Sequence, residues 1–157
     1  MSAVDTAPVI AELRQVLFHE YAHFHVALAA GVPGYITIEK NTSGRDDEKA
    51  YIGKFKMLAH LDPRDWRWRR KIGLAGAVAE ALLEDQDVEA WTLAEDGYLR
   101  EYYGFSESDH AMADPFTEED IHRTISMVRR CWPVIQHDVE LHLALLAREV
   151  STQEAVR

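Results

Sequence analysis

The sequence predicts a mostly helical α+β domain with one small β-hairpin, and three observations carry that prediction. Apolar residues recur at helical spacing in long segments on both sides of the middle of the chain. Between the first two of these segments, two short runs rich in β-branched and aromatic residues, 35–39 and 51–57, flank the polar loop NTSGRDDEK. No repeat, low-complexity tract or linker interrupts the 157 residues, so one domain over 1–157 with its core at about 7–150 is expected.

In chain order, residues 7–30 form the first predicted helix, closed by Gly31 and Pro33. At about 100° per residue, Val9, Ile10, Leu13, Val16, Leu17, Phe24, Ala27 and Leu28 fall on one apolar stripe. The hairpin follows. Asp62-Pro63 is a helix-start signal, an acid that can cap followed by a proline where no backbone donor is needed, and the helix should run to about Glu84. Its interior contains Gly73 and Gly76. Each costs about 1 kcal/mol against alanine, so close approach of another backbone is the expected reason for both. The basic patch WRWRRK at its start reads as a solvated helix face with Trp66 and Trp68 turned inward. A further helical stretch is expected over 85–94, then an irregular tract, GYLREYYGFSESD. Thr117 caps another helix, and Pro133 is expected to begin the last one, with a stripe of Ile135, Val139, Leu143, Leu146 and Val150.

Composition narrows the function. Hydrophobic residues at 47% and charged residues at 28% are ordinary for a globular protein, which excludes disorder and fibrous classes. Lys+Arg 17 against Asp+Glu 27 leaves a formal net charge of −10, so a nucleic-acid backbone would be repelled and no nucleic-acid partner is expected. The single cysteine, Cys131, allows no internal disulfide and reads as an inert, buried thiol. The amino-terminal MSAVDTAPVIAELRQ has no basic start leading into an apolar core, and no run approaches a membrane span. A cytoplasmic location with no membrane partner is the expectation.

The chemistry lies in the first helix, where His19-Glu20-Tyr21-Ala22-His23 is an HExxH motif. Residues four apart share a helix face, so both imidazoles can reach one metal ion while Glu20 stands beside them to polarise a water. On the wheel Glu20 falls near the centre of the apolar stripe. A desolvated carboxylate there costs several kcal/mol unless something compensates, and metal chemistry supplies the compensation. Catalytic zinc takes three protein ligands, so one more is required. Asp109, Glu80, His60 and His110 are all candidates, and spacing does not choose between them. Asp109 also suits a helix N-cap before HAMA, and Glu80 a solvated helix acid. His25, His60, His122, His137 and His142 read most simply as surface or interface histidines. Ser106 and Ser108 read as turn residues. Tyr102 and Tyr103 are of a residue type that can assist an oxyanion, but the sequence gives no geometry to support that role.

The sequence resembles the peptidase domain of the FtsH-type ATP-dependent zinc proteases, and more closely the small stand-alone relatives of that domain. The similarity runs over about residues 10–150, through HEYAHFHVALAAGVPGYITI, GLAGAVAEALL, GFSESDHAMAD and the closing helical pair from TEEDIHRTISMV to WPVIQHDVELHLALLARE. It implies that His19 and His23 ligate zinc, that Glu20 is the general base, that Asp109 is the third ligand and that Glu80 orients a ligand or packs the metal helix. Ala22 stands where that family usually has glycine. Nothing in these residues resembles a phosphate-cradling glycine loop.

The resulting expectation is a zinc-dependent metallopeptidase acting on peptides or already unfolded proteins, either as a homo-oligomer or with a separate unfoldase partner. Residues 35–39 are expected to bind substrate as an added strand, with the acids of the following loop favouring basic substrates. A non-catalytic metal-binding interaction protein on the same scaffold is the second reading, which the intact HEYAH disfavours. A repressor-cleaving regulator of the ImmA/IrrE kind ranks last, because the region about thirty residues past the motif, where those proteins place an acidic ligand, is here the hairpin loop.

Overall fold

The structure is a computed structural model that describes residues 7–43 and 49–155. It is mostly helical with one two-stranded sheet, the architecture expected from the sequence. Helix α1 (Ala7–Ala29) leads through Gly31, at φ 82°, into β1 (Gly34–Lys40), which pairs antiparallel with β2 (Tyr51–Met57). Then come α2 (Trp66–Glu84), α3 (Ala90–Ala94), a 3₁₀ turn (Glu95–Gly97), α4 (Tyr98–Tyr102), α5 (Glu107–Ala113) and the long α6 (Glu118–Ala155). No described helix is long and apolar enough to cross a membrane.

The core lies where α1, α2 and α6 meet. Every residue of α2 from Ile72 to Leu82 is buried, which suits a central helix whose small side chains let neighbours approach from all round. Gly73 is one such approach, since a Cβ there would lie 2.7 Å from the Ala113 nitrogen and 2.9 Å from the Asp109 carbonyl. On α1, burial follows the predicted stripe only in part. Leu13, Val16, Leu17 and Ala27 are buried, but Ile10 and Leu28 are exposed near the helix ends, and Phe18, Ala22 and Val26 are buried in addition. The helix is covered from more than one side: α2 and α6 pack on it, the sheet covers another flank, and Phe18 stacks on Trp132 of α6.

Several boundaries differ from expectation. Asp62 opens a turn, accepting from the Arg64 N–H at 2.9 Å, and α2 starts only at Trp66. Trp66 is therefore in the first turn, before the helix reaches the core. It is exposed rather than turned inward, with the Arg70 guanidinium 4.6 Å from its ring centroid, while Trp68 packs against the core. Helix 85–94 is shortened to α3 because the Asp85 carboxylate accepts from the Asp87 N–H and turns the chain. The irregular tract contains two short helices, α4 and α5. The closing pair is one helix: Ile121, Ile125, Val128, Ile135, Val139 and Leu143 keep a single buried face across Pro133. That burial outweighs the local cost of a proline, about 3 kcal/mol. Val150 lies outside the residues whose side chains are described, and Cys131 is half-buried rather than fully enclosed.

Candidate metal centre

Three polar side chains converge at the junction of α1, α2 and α5. His19 and His23, one turn apart on α1, bring their Nε2 atoms to 3.1 Å from each other. Asp109 on α5 faces both, with Oδ1 3.2 Å from His23 Nε2 and Oδ2 3.4 Å from His19 Nε2. Four donors arranged tetrahedrally at about 2.0–2.1 Å from one ion are about 3.3 Å apart, so these separations fit the edges of a single coordination polyhedron. Among the described residues this trio is the group of histidine and acidic side chains able to hold a metal ion.

The far side of each ring is also committed. The His23 Nδ1–H donates to the Ile72 carbonyl at 2.5 Å, and His19 Nδ1 faces Glu80 Oε2 at 3.3 Å. Once the ring is neutral, acceptors on both Nδ1 positions favour the tautomer whose Nε2 lone pair points to the centre. Glu80 is not a solvated helix acid but is 2% exposed. Its Oε2 also accepts from the Gly104 N–H at 2.7 Å, and its Oε1 faces Lys49 Nζ at 3.4 Å.

The local chain sets these positions. Ser106 rather than Asp109 is the N-cap of α5, and Asp109 is the fourth member of a capping box: its Oδ2 accepts from the Ser106 N–H, and Ser106 Oγ accepts from the Asp109 N–H. One carboxylate thus closes a helix end and faces two imidazoles. Gly76 has a different reason from the expected one, because a Cβ there would overlap the His19 ring, not a backbone. Gly53 does the same for Glu20, whose Cγ would lie 2.7 Å from an added Cβ.

The charges are coupled. Burial acts to lower the His19 pKa, but hydrogen bonds to Asp109 and Glu80 and the charges of Glu20 and Glu80 outweigh it and push it up to about 10. Burial acts to raise Asp109, and the two imidazoles instead hold it well below the usual carboxylate range. Glu80 is likewise lowered, because His19, Lys49 and the Gly104 N–H overcome its burial.

Glu20 is buried, as its place on the wheel requires, and lines the same cleft of about 820 Å³ as the trio. Of the other candidate ligands, His60 is exposed, and His110 faces Asp114 at 3.1 Å and packs edge-on to Phe105. His25 pairs with Asp138 and the His142 Nδ1 lies 2.9 Å from the Tyr21 hydroxyl, while His122 and His137 are exposed. Neither Tyr102 nor Tyr103 is an oxyanion donor. Tyr103 donates to Glu84, and Tyr102 is exposed and stacked on Tyr98.

The strand bordering the cleft is β2, not residues 35–39 of β1. All seven residues of β2 line it. The bonds Asn41 N–H to Ala50 and Leu58 N–H to Pro33 fix which pairs exchange hydrogen bonds, so Tyr51, Gly53, Phe55 and Met57 direct their backbone groups away from β1. The acids of the loop, Asp46, Asp47 and Glu48, lie outside the described residues.

Sequence reasoning missed the Ile72 carbonyl, the Gly104 N–H and Lys49. The first two are backbone groups that any residue supplies, and Lys49 has no motif around it. No protein-family model matches the chain, and no curated protein sequence matches it.

Proposed function

We propose that the protein is a zinc-dependent metallopeptidase, of the kind its sequence resembles, acting on extended peptides or unfolded proteins. The observation that carries this reading is the convergence of two Nε2 atoms and one carboxylate, with both Nδ1 atoms already engaged and Glu20 in the same cleft. Two imidazoles and an aspartate are a donor set that zinc accepts. Zinc, when bound, supplies Lewis acidity toward a water molecule and toward a peptide carbonyl.

His19, His23 and Asp109 hold the ion, and Glu80 and the Ile72 carbonyl fix the two rings. Glu20 takes a proton from the attacking water and returns one to the leaving amine. Substrate lies along the free backbone groups of Tyr51, Gly53, Phe55 and Met57, and Gly53 lets that strand pass close to Glu20.

Glu20→Gln tests the reading, because the amide keeps the size and cannot accept the proton. Metal content should stay at the parental level and hydrolysis of an unfolded test protein should fall by at least about 100-fold. Parental cleavage by this variant contradicts the assigned role. Stoichiometric metal with no hydrolysis by the unaltered protein would favour a non-catalytic metal-binding protein instead.

A further inference from the structure

The outer face of β2, beside the metal centre, carries a charge opposite to that of the whole chain. The formal net charge is −10, yet the acids among the described lining residues are only Glu20 and Asp109, against Lys49, Lys54 and Lys56. Lys49 is occupied by Glu80. Lys54 and Lys56 are exposed and stand on the outer face of β2, two residues and about 7 Å apart. Their partners across the sheet are Thr37 and Tyr35, and the acid of β1 on the same face, Glu39, stands opposite Ile52, diagonal to Lys54.

The other edge of β2 is open in the described sheet and borders the cleft. A strand added there would place alternate side chains beside Lys54 and Lys56. The intervening side chains would turn inward toward Phe55, Met57, Ile72 and Met112. We infer that the site selects extended peptide segments in which acidic and apolar residues alternate, the carboxylates pairing with Lys54 and Lys56.

Distant acids do not cancel this preference. The Debye length at physiological ionic strength is about 8 Å, so charges across the molecule are screened while cross-strand neighbours are not. A peptide backbone matches the open hydrogen-bonding groups of β2, whereas a nucleic acid offers no such strand and meets the net negative charge.

This inference takes its binding site from the metallopeptidase reading but is measured by binding alone. Labelled extended peptides of alternating Glu and Val, and of alternating Lys and Val, are titrated into the Glu20→Gln protein by fluorescence anisotropy. The acidic peptide should bind about tenfold more tightly, a preference that two cross-strand ion pairs can supply, and the difference should shrink at about 1 M salt. Lys54→Glu with Lys56→Glu should reverse the preference, and Lys54→Gln with Lys56→Gln should erase it should the reversed variant not fold. Equal affinities, binding of neither peptide, a preference that survives in both variants, or displacement of the acidic peptide by an equal concentration of oligothymidylate overturns the inference. A protein that cleaves unfolded chains without charge preference contradicts this inference alone. Charge-selective binding by a protein that hydrolyses nothing contradicts the metallopeptidase reading alone.

Discussion

His19 and His23 present one ring nitrogen each to a common point because Glu80 and the Ile72 carbonyl hold the other. Losing a ligand oxygen should weaken metal binding more than losing an outer partner, which typically costs 10–100-fold. Asp109→Ala should therefore release zinc at a chelator concentration that leaves Glu80→Ala largely loaded, and the reverse order would make Glu80 the ligand. The titration of His19 gives a second expectation. In the metal-free protein its pKa is raised to about 10, so its stabilising contribution is fully present below about 6.5 and is lost as pH rises through about 10. A zinc ion must displace that proton. Uptake at pH 7 should release about one proton from His19, and affinity should rise with pH toward about 10. Calorimetry in buffers of unequal ionisation enthalpy reads this, and heats independent of buffer contradict it. HEYAH was legible at this scale because side-chain identity carries the chemistry. The Ile72 carbonyl was not, since a backbone acceptor has no signature of its own.

Helix α6 shows what local signals leave out. Pro133 reads as a helix start, yet the buried spacing from Ile121 to Leu143 holds one phase on both sides of it. The proline withholds one backbone donor in a helix that continues regardless. Pro133→Ala should therefore stabilise the fold by about 2 kcal/mol, the roughly 3 kcal/mol interior cost of proline less up to about 1 kcal/mol for a freer unfolded chain. Denaturant unfolding checks this, and a less stable variant would mean that α6 needs a break at that point. The hairpin, by contrast, was legible nearly to the residue, because alternation and the polar loop act locally. Which of its strands faces the cleft depends on how the sheet lies against α1, and no local pattern in β1 or β2 contains that information.

Across the whole molecule, the centre joins residues 19, 23, 80 and 109 from three helices around a buried α2. The order of the segments gave the helical class, and HEYAH gave two of the three converging side chains. The third followed only from the family resemblance, since spacing left four candidates open. Gly73 and Gly76 were visible as anomalies in a helix interior, and their separate causes, a backbone and an imidazole, came from the packing. His19, His23 and Asp109 are proposed to form one zinc site. The deciding measurement is the metal content of the folded protein purified without chelator and exposed to zinc. One tightly held zinc per chain in the parental protein, lost in His19→Ala, His23→Ala and Asp109→Ala, is the predicted result; negligible zinc in the parental protein, or full zinc in any of the three folded variants, would contradict it.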